Sequence, residues 1–384
     1  MRMLGEKRSA IRELFEYGKE LKAKVGAENV FDFSIGNPSA PVPDCVIESI
    51  KKHALEEGTH NYTSAQGDLA ARKAVADYMK ACSGVNISAD DIYITCGASA
   101  ALSIVFCAIN GGNGEFITMA PHFPEYKVFV ESSGGTLTAV PPGKDFKLNV
   151  EGIENAVNEN TCGVIINSPN NPVGNVYSAE EIAALANALK KKELEYGHPI
   201  YIISDEPYRE ITYGAEAVNP MLFYPDVILC YSFSKTLSLA GERIGYIAVS
   251  PDSREKKGVY AAICGAGRAL GYVSAPSLFQ RVLADCIGKT SDFTVYQTNR
   301  YLMYNMLKGL GFECVYPEGA FYLFVKCPCE ENKFFEECKK EGVLVVPSES
   351  FGYPGYVRIA YCVPTDTIVR ARPHFEKIAA VCVK

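Results

Sequence analysis

The chain has 384 residues, of which 48% are hydrophobic, a composition typical of a globular protein with a substantial core. Its net charge of −7 argues against a large nucleic-acid-binding surface, because such a surface would need a basic patch. No apolar stretch is long enough to span a bilayer, and the charged N-terminal stretch lacks the apolar core of a signal peptide, so we expect a cytoplasmic protein without membrane or nucleic-acid partners.

Apolar runs alternate with helical patterns between residues 46 and 290. Several runs are continuously apolar, which is typical of strands covered by helices on both faces. Between them, Ser178 and Glu181 have the spacing of a capping box and predict the start of a helix. Strands separated by helices predict an α/β domain with a mostly parallel sheet. The runs that indicate strands are DDIYITCG, GEFITMAP, GGTLTAVPP, TCGVIINSPNN, HPIYIISDEPY, DVILCYSFSK and RIGYIAVSP.

The pattern changes after residue 290. A helical stretch at about 291–310 is followed by AFYLFVK, a helix, GVLVVPS, YVRIAYC and a final helix. This order indicates a smaller α+β domain, and PSAPVP at 38–43 is typical of a linker that leads into the larger one. We therefore predict a large domain at 46–290 and a small domain built from 1–45 and 291–384.

The 14 cysteines and five histidines show no spacing typical of metal ligands, since Cys327 and Cys329 form only a C-x-C pair. We therefore expect no metal site. Cysteines this numerous in a chain without an export signal are typical of reduced thiols in the cytoplasm.

Polar residues follow the carboxyl ends of predicted strands. Asn171 follows GVIIN, Asp205 ends YIISD, and Ser232 precedes Lys235 after VILCY. Because the carboxyl ends of parallel strands lie at one edge of the sheet, where ligands bind in open α/β sheets, we expect these side chains to meet.

A helix that begins at Gly97, Ala98 and Ser99 offers unpaired N–H groups that suit a phosphate. Arg243 and Ser232 could add charge-assisted hydrogen bonds to the same anion. Taken alone, the turn at Gly97 is equally consistent with a plain strand-to-helix connection, and Arg243 with a surface ion pair to Glu242. Together with Lys235 and Asp205, these groups suit pyridoxal phosphate, which needs a lysine, an acid beside its ring nitrogen and a phosphate anchor.

The order and spacing of five motifs resemble those of the fold-type I pyridoxal-phosphate enzymes, specifically the aspartate-aminotransferase-like class I/II aminotransferases. The resemblance covers nearly the whole chain, and it departs from the family pattern at Val173, where the family has threonine. The motifs are YTSAQGDLAAR, SPNNPVGNVY, DEPY, SFSKTLSLAGERIGY and VRIAY.

The resemblance implies a fold-type I structure and assigns roles to individual residues around the cofactor. Lys235 would form the Schiff base with pyridoxal phosphate and then move the substrate proton, which requires a pKa lowered by burial near other cations. Asp205 would pair with the pyridine nitrogen, and Tyr208 and Asn171 would bind the ring hydroxyl. Phe123 would stack on the ring, although simple core packing also explains it.

Other implied roles concern the phosphate and the substrate. The phosphate would lie among Gly97, Ala98, Ser99, Ser232, Ser234 and Arg243. Arg358 would hold the substrate carboxylate in two parallel hydrogen bonds, with Asn171 beside it, and Gly36 would let the backbone approach the substrate. Tyr62 would reach the phosphate in a neighbouring subunit, which implies a homodimer with shared active sites.

The implied reaction is a ping-pong transfer of an amino group between an L-amino acid and a 2-oxo acid, with 2-oxoglutarate as the expected acceptor. Arg268 could bind a distal carboxylate, or it could be a surface residue about two positions from the expected place. Alternatively, Phe15, Tyr17, Phe321 and Tyr322 could line an aromatic or aliphatic side-chain pocket.

Two alternatives to an aminotransferase stay open at this point. A pyridoxal-phosphate C–S β-lyase acting on cysteine conjugates would keep the same lysine, aspartate and arginine. A non-catalytic ligand-sensing domain is a further alternative, but such regulators carry a DNA-binding extension before this domain. Because FSIGNPS begins by residue 33, we expect no room for that extension.

Overall fold

The computed structural model describes residues 10–383, so residues 1–9 and 384 of the predicted small domain lie outside the described part. The strands are β1 Phe31–Asp32, β2 Ile92–Thr95, β3 Glu115–Met119, β4 Thr136–Val140, β5 Thr161–Asn167, β6 Tyr201–Asp205, β7 Val227–Ser232, β8 Gly245–Val249, β9 Tyr322–Lys326, β10 Val343–Leu344, β11 Val346–Pro347 and β12 Tyr356–Ala360.

The α-helices are α1 Ala10–Val25, α2 Asp44–Ala54, α3 Leu69–Ser83, α4 Ala98–Ile109, α5 Glu125–Ser132, α6 Val150–Ala156, α7 Ala179–Tyr196, α8 Phe233–Thr236, α9 Lys256–Ala269, α10 Ser277–Cys286, α11 Thr294–Gly309, α12 Glu331–Lys340 and α13 Thr365–Cys382. Within residues 10–383, no helix combines the length and the apolar character needed to cross a membrane.

A seven-stranded sheet in the order β2-β8-β7-β6-β5-β3-β4 forms the centre of the fold. All neighbours are parallel except that β8 runs antiparallel to β2 and β7. The strands occupy the apolar runs of the sequence, which confirms the predicted α/β architecture with a mostly parallel sheet.

Helices cover both faces of this sheet, which explains why its strands are continuously apolar. On β7, Leu229 and Tyr231 pack into the cluster that contains α3, α7 and α10, whereas Ile228 and Cys230 pack into the cluster that contains α4, α5 and α9. Successive side chains of a strand point to opposite faces, so every residue of β7 is buried. The sheet is thus a rigid platform, and its carboxyl edge is the part left open to a ligand.

The predicted capping box begins α7. The Ser178 hydroxyl oxygen accepts from the Glu181 amide at 3.3 Å, and the Glu181 carboxylate accepts from the Ser178 amide at 2.9 Å. Two N–H groups that the helix itself cannot pair are thereby satisfied.

Two small sheets flank the central one. The antiparallel sheet β11-β12-β9 carries Arg358 at the middle of β12, and β1 pairs with β10 in parallel through Phe31 and Val343. The N-terminal strand is therefore tied to the C-terminal part of the chain. The domain division at residues 45/46 and 290/291 stays a prediction.

Candidate active site

A cavity of about 290 Å³ opens at the carboxyl edge of the central sheet. Its volume lies just below the roughly 300–1,000 Å³ typical of small-molecule sites. Most residues predicted for the site line it, and Gly97 and Tyr62 do not. The lining residues are Gly36, Ala98, Ser99, Leu102, Phe123, Asn167, Asn171, Asp205, Pro207, Tyr208, Ser232, Ser234, Lys235, Ala240, Arg243, Tyr322 and Arg358.

Lys235 projects into the cavity from α8, a four-residue helix directly after β7. Its Nζ donates a hydrogen bond to the Gly36 carbonyl oxygen at 2.5 Å. Burial lowers the pKa of Lys235 to about 8; the Cys362 thiol opposes this shift, while Arg358 and Arg243 add to it. A substantial fraction of the lysine is therefore neutral near pH 8, which a general base requires.

Asp205 is the last residue of β6 and is buried beside the cavity. Its Oδ2 accepts from the Tyr126 hydroxyl at 2.6 Å, whereas its buried Oδ1 has no hydrogen-bond partner within residues 10–383. Burial raises the pKa of Asp205 to about 7 against the lowering effect of the Tyr126 hydrogen bond, and Glu206 adds to the rise. Because an unpaired buried carboxylate oxygen is unfavourable, this oxygen is suited to a donor that enters the cavity.

Arg358 is buried on β12 and also lines the cavity. It donates to the Asn171 side-chain oxygen at 3.0 Å and to the Ser34 carbonyl oxygen at 2.6 Å. Its guanidinium lies 4.5 Å from the centroid of the Tyr322 ring, and its Nε has no partner among the residues described. None of these contacts is an anion, so the guanidinium is held in place with capacity left for a carboxylate.

The start of α4 forms one part of the cavity wall. Gly97 precedes the helix with φ of +82°, and Ala98 and Ser99 supply the first turn. A Cβ at Gly97 would lie 2.8 Å from Nη2 of Arg243, so glycine allows the guanidinium to approach the helix end. This explains why Gly97 shapes the site without lining it.

Arg243 is held over this helix end by backbone oxygens. It donates to the Ala240 carbonyl at 2.9 Å and to the Cys96 carbonyl at 3.3 Å. The Ser232 hydroxyl donates to that of Ser234 at 2.8 Å, and both line the same wall. The ion pair considered between Arg243 and Glu242 is not among the salt bridges of the described residues. A cation, two hydroxyls and a helix N-terminus thus face one part of the cavity.

Five side chains at or beside the cavity were not predicted from the sequence: Tyr126, Asn167, Leu102, Pro207 and Ala240. Phe123 lines the cavity as predicted, and Tyr126 packs edge-on against its ring at 5.6 Å while donating to Asp205. Asn167 ends β5 directly beside Asp205 and donates to its carbonyl oxygen at 2.8 Å. The spacing of three residues between Phe123 and Tyr126 at a helix start was a usable signal. No sequence pattern singled out Leu102, Pro207 or Ala240 as site residues.

Tyr62 and Arg268 lie outside the cavity of this chain. The Tyr62 side chain is fully exposed, and it borders a separate surface depression together with Cys96 and Ser274. Arg268 is exposed in the last turn of α9. The other residues considered for a substrate side-chain pocket divide: Tyr322 lines the cavity, whereas Phe15, Tyr17 and Phe321 do not.

Comparison with known proteins agrees with this geometry. The family model described as aminotransferase class I and II matches residues 28–374. The chain belongs to this family. Among relatives, it is 30% identical over 380 residues to a probable aspartate aminotransferase of Methanocaldococcus jannaschii, with 95% of each chain covered.

Solved structures extend the comparison to the fold. An aminotransferase from Eubacterium rectale is 50% identical, with a TM-score of 0.97 and coverage of 100% of this chain and 98% of that one. An aspartate aminotransferase from Thermus thermophilus with maleate is 25% identical, with a TM-score of 0.87 and 97% of each chain covered. The predicted fold-type I structure and aminotransferase class are confirmed, and the β-lyase and ligand-sensing alternatives are not favoured.

Proposed function

We propose that this aminotransferase uses pyridoxal phosphate to move an amino group between an L-amino acid and a 2-oxo acid, with 2-oxoglutarate and glutamate as one pair. The observation that carries the proposal is the unpaired Oδ1 of Asp205, which shares a cavity with Lys235. A buried carboxylate in this position suits a protonated ring nitrogen, which would donate the missing hydrogen bond.

The remaining side chains also fit the cofactor. Arg243, Ser232, Ser234 and the N-terminus of α4 suit a phosphate dianion. Tyr208 and Asn171 offer a hydroxyl and an amide to the ring hydroxyl, and Phe123 offers an aromatic face. When bound, pyridoxal phosphate supplies an electron sink for the bonds at the substrate α-carbon.

The chain's own contribution to the reaction is proton transfer and positioning. We assign proton transfer to Lys235, whose Nζ would act as base and then as acid in the 1,3-proton transfer that starts at the substrate α-carbon, and would carry out the same transfer in reverse in the second half-reaction. A pKa of about 8 suits both accepting and donating the proton, because the amine and ammonium forms are both populated near neutral pH. The Gly36 carbonyl oxygen accepts a hydrogen bond from Nζ and so limits where that amine can lie.

Substrate binding is assigned to Arg358, with Asn171 and Gly36 beside it. The guanidinium already has two fixed hydrogen-bond partners, so it presents its remaining N–H groups in one orientation to an α-carboxylate. The names of the relatives support a dicarboxylic donor such as aspartate, and Arg268 of a second subunit is a candidate for its distal carboxylate.

We further propose a cytoplasmic homodimer with shared active sites and without membrane or nucleic-acid partners. The full exposure of Tyr62 supports a shared site, because a phenol ring with this role would be covered only by a second copy. The 14 cysteines are free thiols, which suits a reducing compartment. The large domain at 46–290 and the small domain at 1–45 and 291–384 complete the proposal.

Borohydride reduction followed by peptide mapping tests the assignment of Lys235. Reduction of the protein loaded with pyridoxal phosphate should fix the cofactor on the peptide that contains Lys235 and leave other lysines unmodified. Lys235→Ala should lose this label and the visible absorbance, whereas Lys257→Ala, at an exposed lysine, should retain both. A label that stays in Lys235→Ala, or that maps to another lysine, would refute the assignment.

A further inference from the structure

Tyr322 lines the cavity and contacts both Arg358 and Tyr208. It begins β9 opposite Ala360, so it is a diagonal neighbour of Arg358 on the same face of the sheet. The Arg358 guanidinium lies 4.5 Å from the centroid of its ring. Its hydroxyl lies 2.8 Å from the hydroxyl of Tyr208, and both tyrosines are buried. One side chain thus contacts both the proposed carboxylate clamp and the proposed partner of the cofactor.

We propose that Tyr322 is a positioning residue, whose ring supports Arg358 and whose hydroxyl donates to Tyr208 so that the Tyr208 proton is directed at the cofactor. The inference rests on the proposed function. The sequence analysis considered Tyr322 only as a residue that could line a pocket for the substrate side chain, so this role is additional. The effects of the hydroxyl and of the ring can be measured separately, because the hydroxyl contacts Tyr208 and the ring contacts Arg358.

The direction of the hydrogen bond follows from the role proposed for Tyr208. The two hydroxyls lie 2.8 Å apart, so the proton of either one can form the bond between them. Burial raises the pKa of Tyr322 to about 12 while Arg358 and the bond to Tyr208 oppose the rise. Burial raises the pKa of Tyr208 well above its ordinary value, with Tyr322 adding to the rise. These directions agree with Tyr322 as the donor. Since each hydroxyl carries one proton, Tyr208 can donate to the cofactor only when Tyr322 is the donor in this pair.

The hydroxyl of Tyr322 is fixed in place by its other neighbours. A Cβ at Gly36 would collide with this hydroxyl. The Gly36 backbone, whose carbonyl oxygen accepts a hydrogen bond from Lys235, therefore packs closely against the hydroxyl of Tyr322. The charged or titratable groups around Tyr322 are Tyr208, Arg358 and the buried Cys362 thiol, which adds to the rise of its pKa. Arg358 is the cation among these groups, and it is the one that a bound substrate carboxylate would neutralise.

The test is the pH midpoint of the visible absorbance of the bound cofactor, measured without substrate. Tyr322→Phe keeps the ring under Arg358 and removes the hydroxyl, so the donation from Tyr208 should weaken. The ring oxygen of the cofactor then becomes more basic, and the midpoint should rise by on the order of a few tenths of a pH unit. The matched control is Tyr361→Phe, a fully buried tyrosine whose hydroxyl donates to the Ala320 carbonyl at 3.3 Å; its midpoint should not move.

A double-mutant cycle separates this role from simple packing. Tyr208→Phe should raise the midpoint more than Tyr322→Phe, and the double variant should match Tyr208→Phe alone, because the hydroxyl of Tyr322 acts through Tyr208. Tyr322→Leu removes the ring as well, so the KM of the donor amino acid should rise about tenfold or more above that of Tyr322→Phe.

The results distinguish failure of the role proposed for the Tyr322 hydroxyl from failure of the proposed function. An unshifted midpoint in Tyr322→Phe, or additive shifts in the double variant, overturns the role of the hydroxyl while the cofactor band itself upholds the proposed function. Absence of any visible band in the wild-type protein loaded with pyridoxal phosphate overturns the proposed function instead. Thermal unfolding of the cofactor-free variants shows beforehand that the Phe variants are folded.

Discussion

Asp205, Lys235 and Arg358 are ionisable side chains held in or beside one cavity, and none has an oppositely charged partner among the described residues. The physical consequence is visible in the pKa values, since burial raises that of Asp205 to about 7 and lowers that of Lys235 to about 8. Both shifts disfavour the charged form, as expected for buried groups that have no partner of opposite charge. At the residue scale, the cofactor-free protein is therefore destabilised at its own site.

The pH dependence of stability should reveal the buried carboxyl of Asp205. Its pKa rises from 3.8 to about 7 on folding, so the folded state holds a proton that the unfolded state has lost across this window. Stability of the cofactor-free protein should therefore fall as pH rises from about 4 to 7, by up to about 1.4 kcal/mol per pH unit. Urea unfolding of wild type and Asp205→Asn across this range measures the difference, and identical slopes would contradict the shift.

Removal of the Arg358 guanidinium should affect substrate far more than cofactor. Hydrogen bonds to charged groups contribute about 1.5–3 kcal/mol each, so kcat/KM should fall by roughly 100-fold or more in Arg358→Leu. The cofactor band should remain. Arg358→Lys keeps the charge without the planar pair of N–H groups and should recover only a small part of the loss. The exposed Arg372→Leu is the control, and equal kcat/KM in all variants would refute the clamp.

At the scale of elements, the strands and their polar ends were predictable because both depend on local sequence. Continuous apolar runs predicted the central sheet, and Asp205 and Ser232 were placed at its carboxyl edge by chain position alone. Tyr126 and Tyr322 were not assigned their contacts, because these depend on how α5 and β9 pack against other elements. The same limit applies to Tyr62, since a single sequence does not show what covers an exposed side chain.

The N-terminus of α4 offers a prediction at this scale. Gly97→Ala should weaken cofactor binding by about tenfold or more, because φ is +82° there and the new Cβ would lie 2.8 Å from Nη2 of Arg243. Gly197→Ala is the matched control, since Gly197 ends α7 with φ of +76° and has open space around a new Cβ. Both variants should lose stability, but only Gly97→Ala should raise the cofactor Kd in a fluorescence titration. Equal Kd values would exclude the clash with Arg243.

At the scale of the whole molecule, one chain does not complete the proposed site. Tyr62 is fully exposed, although the resemblance gives it a role at the cofactor phosphate, and Arg268, a candidate for binding a distal carboxylate, lies on the surface of α9. A second subunit would account for both positions. The homodimer is therefore a functional requirement of the proposal rather than a separate property.

Subunit mixing tests the shared site. Lys235→Ala should be inactive, and Tyr62→Ala should be impaired because its partner's phosphate contact is lost. In a mixed dimer, one site combines an intact Lys235 with an intact Tyr62 from the other chain, so mixing should give more activity than the sum of the two separate preparations. Activity equal to that sum, with subunit exchange shown by differently tagged chains, would indicate that Tyr62 does not act across the interface.

The most direct measurement is the absorbance spectrum of the purified protein with pyridoxal phosphate during single additions of L-amino acids. We predict that glutamate, and one or a few donors such as aspartate, abolish the visible band, and that 2-oxoglutarate then restores it. This cycle demonstrates both half-reactions of transamination and names the donor. A visible band that persists with every amino acid, while a cysteine conjugate yields pyruvate and ammonia, would contradict transamination as the function of this site.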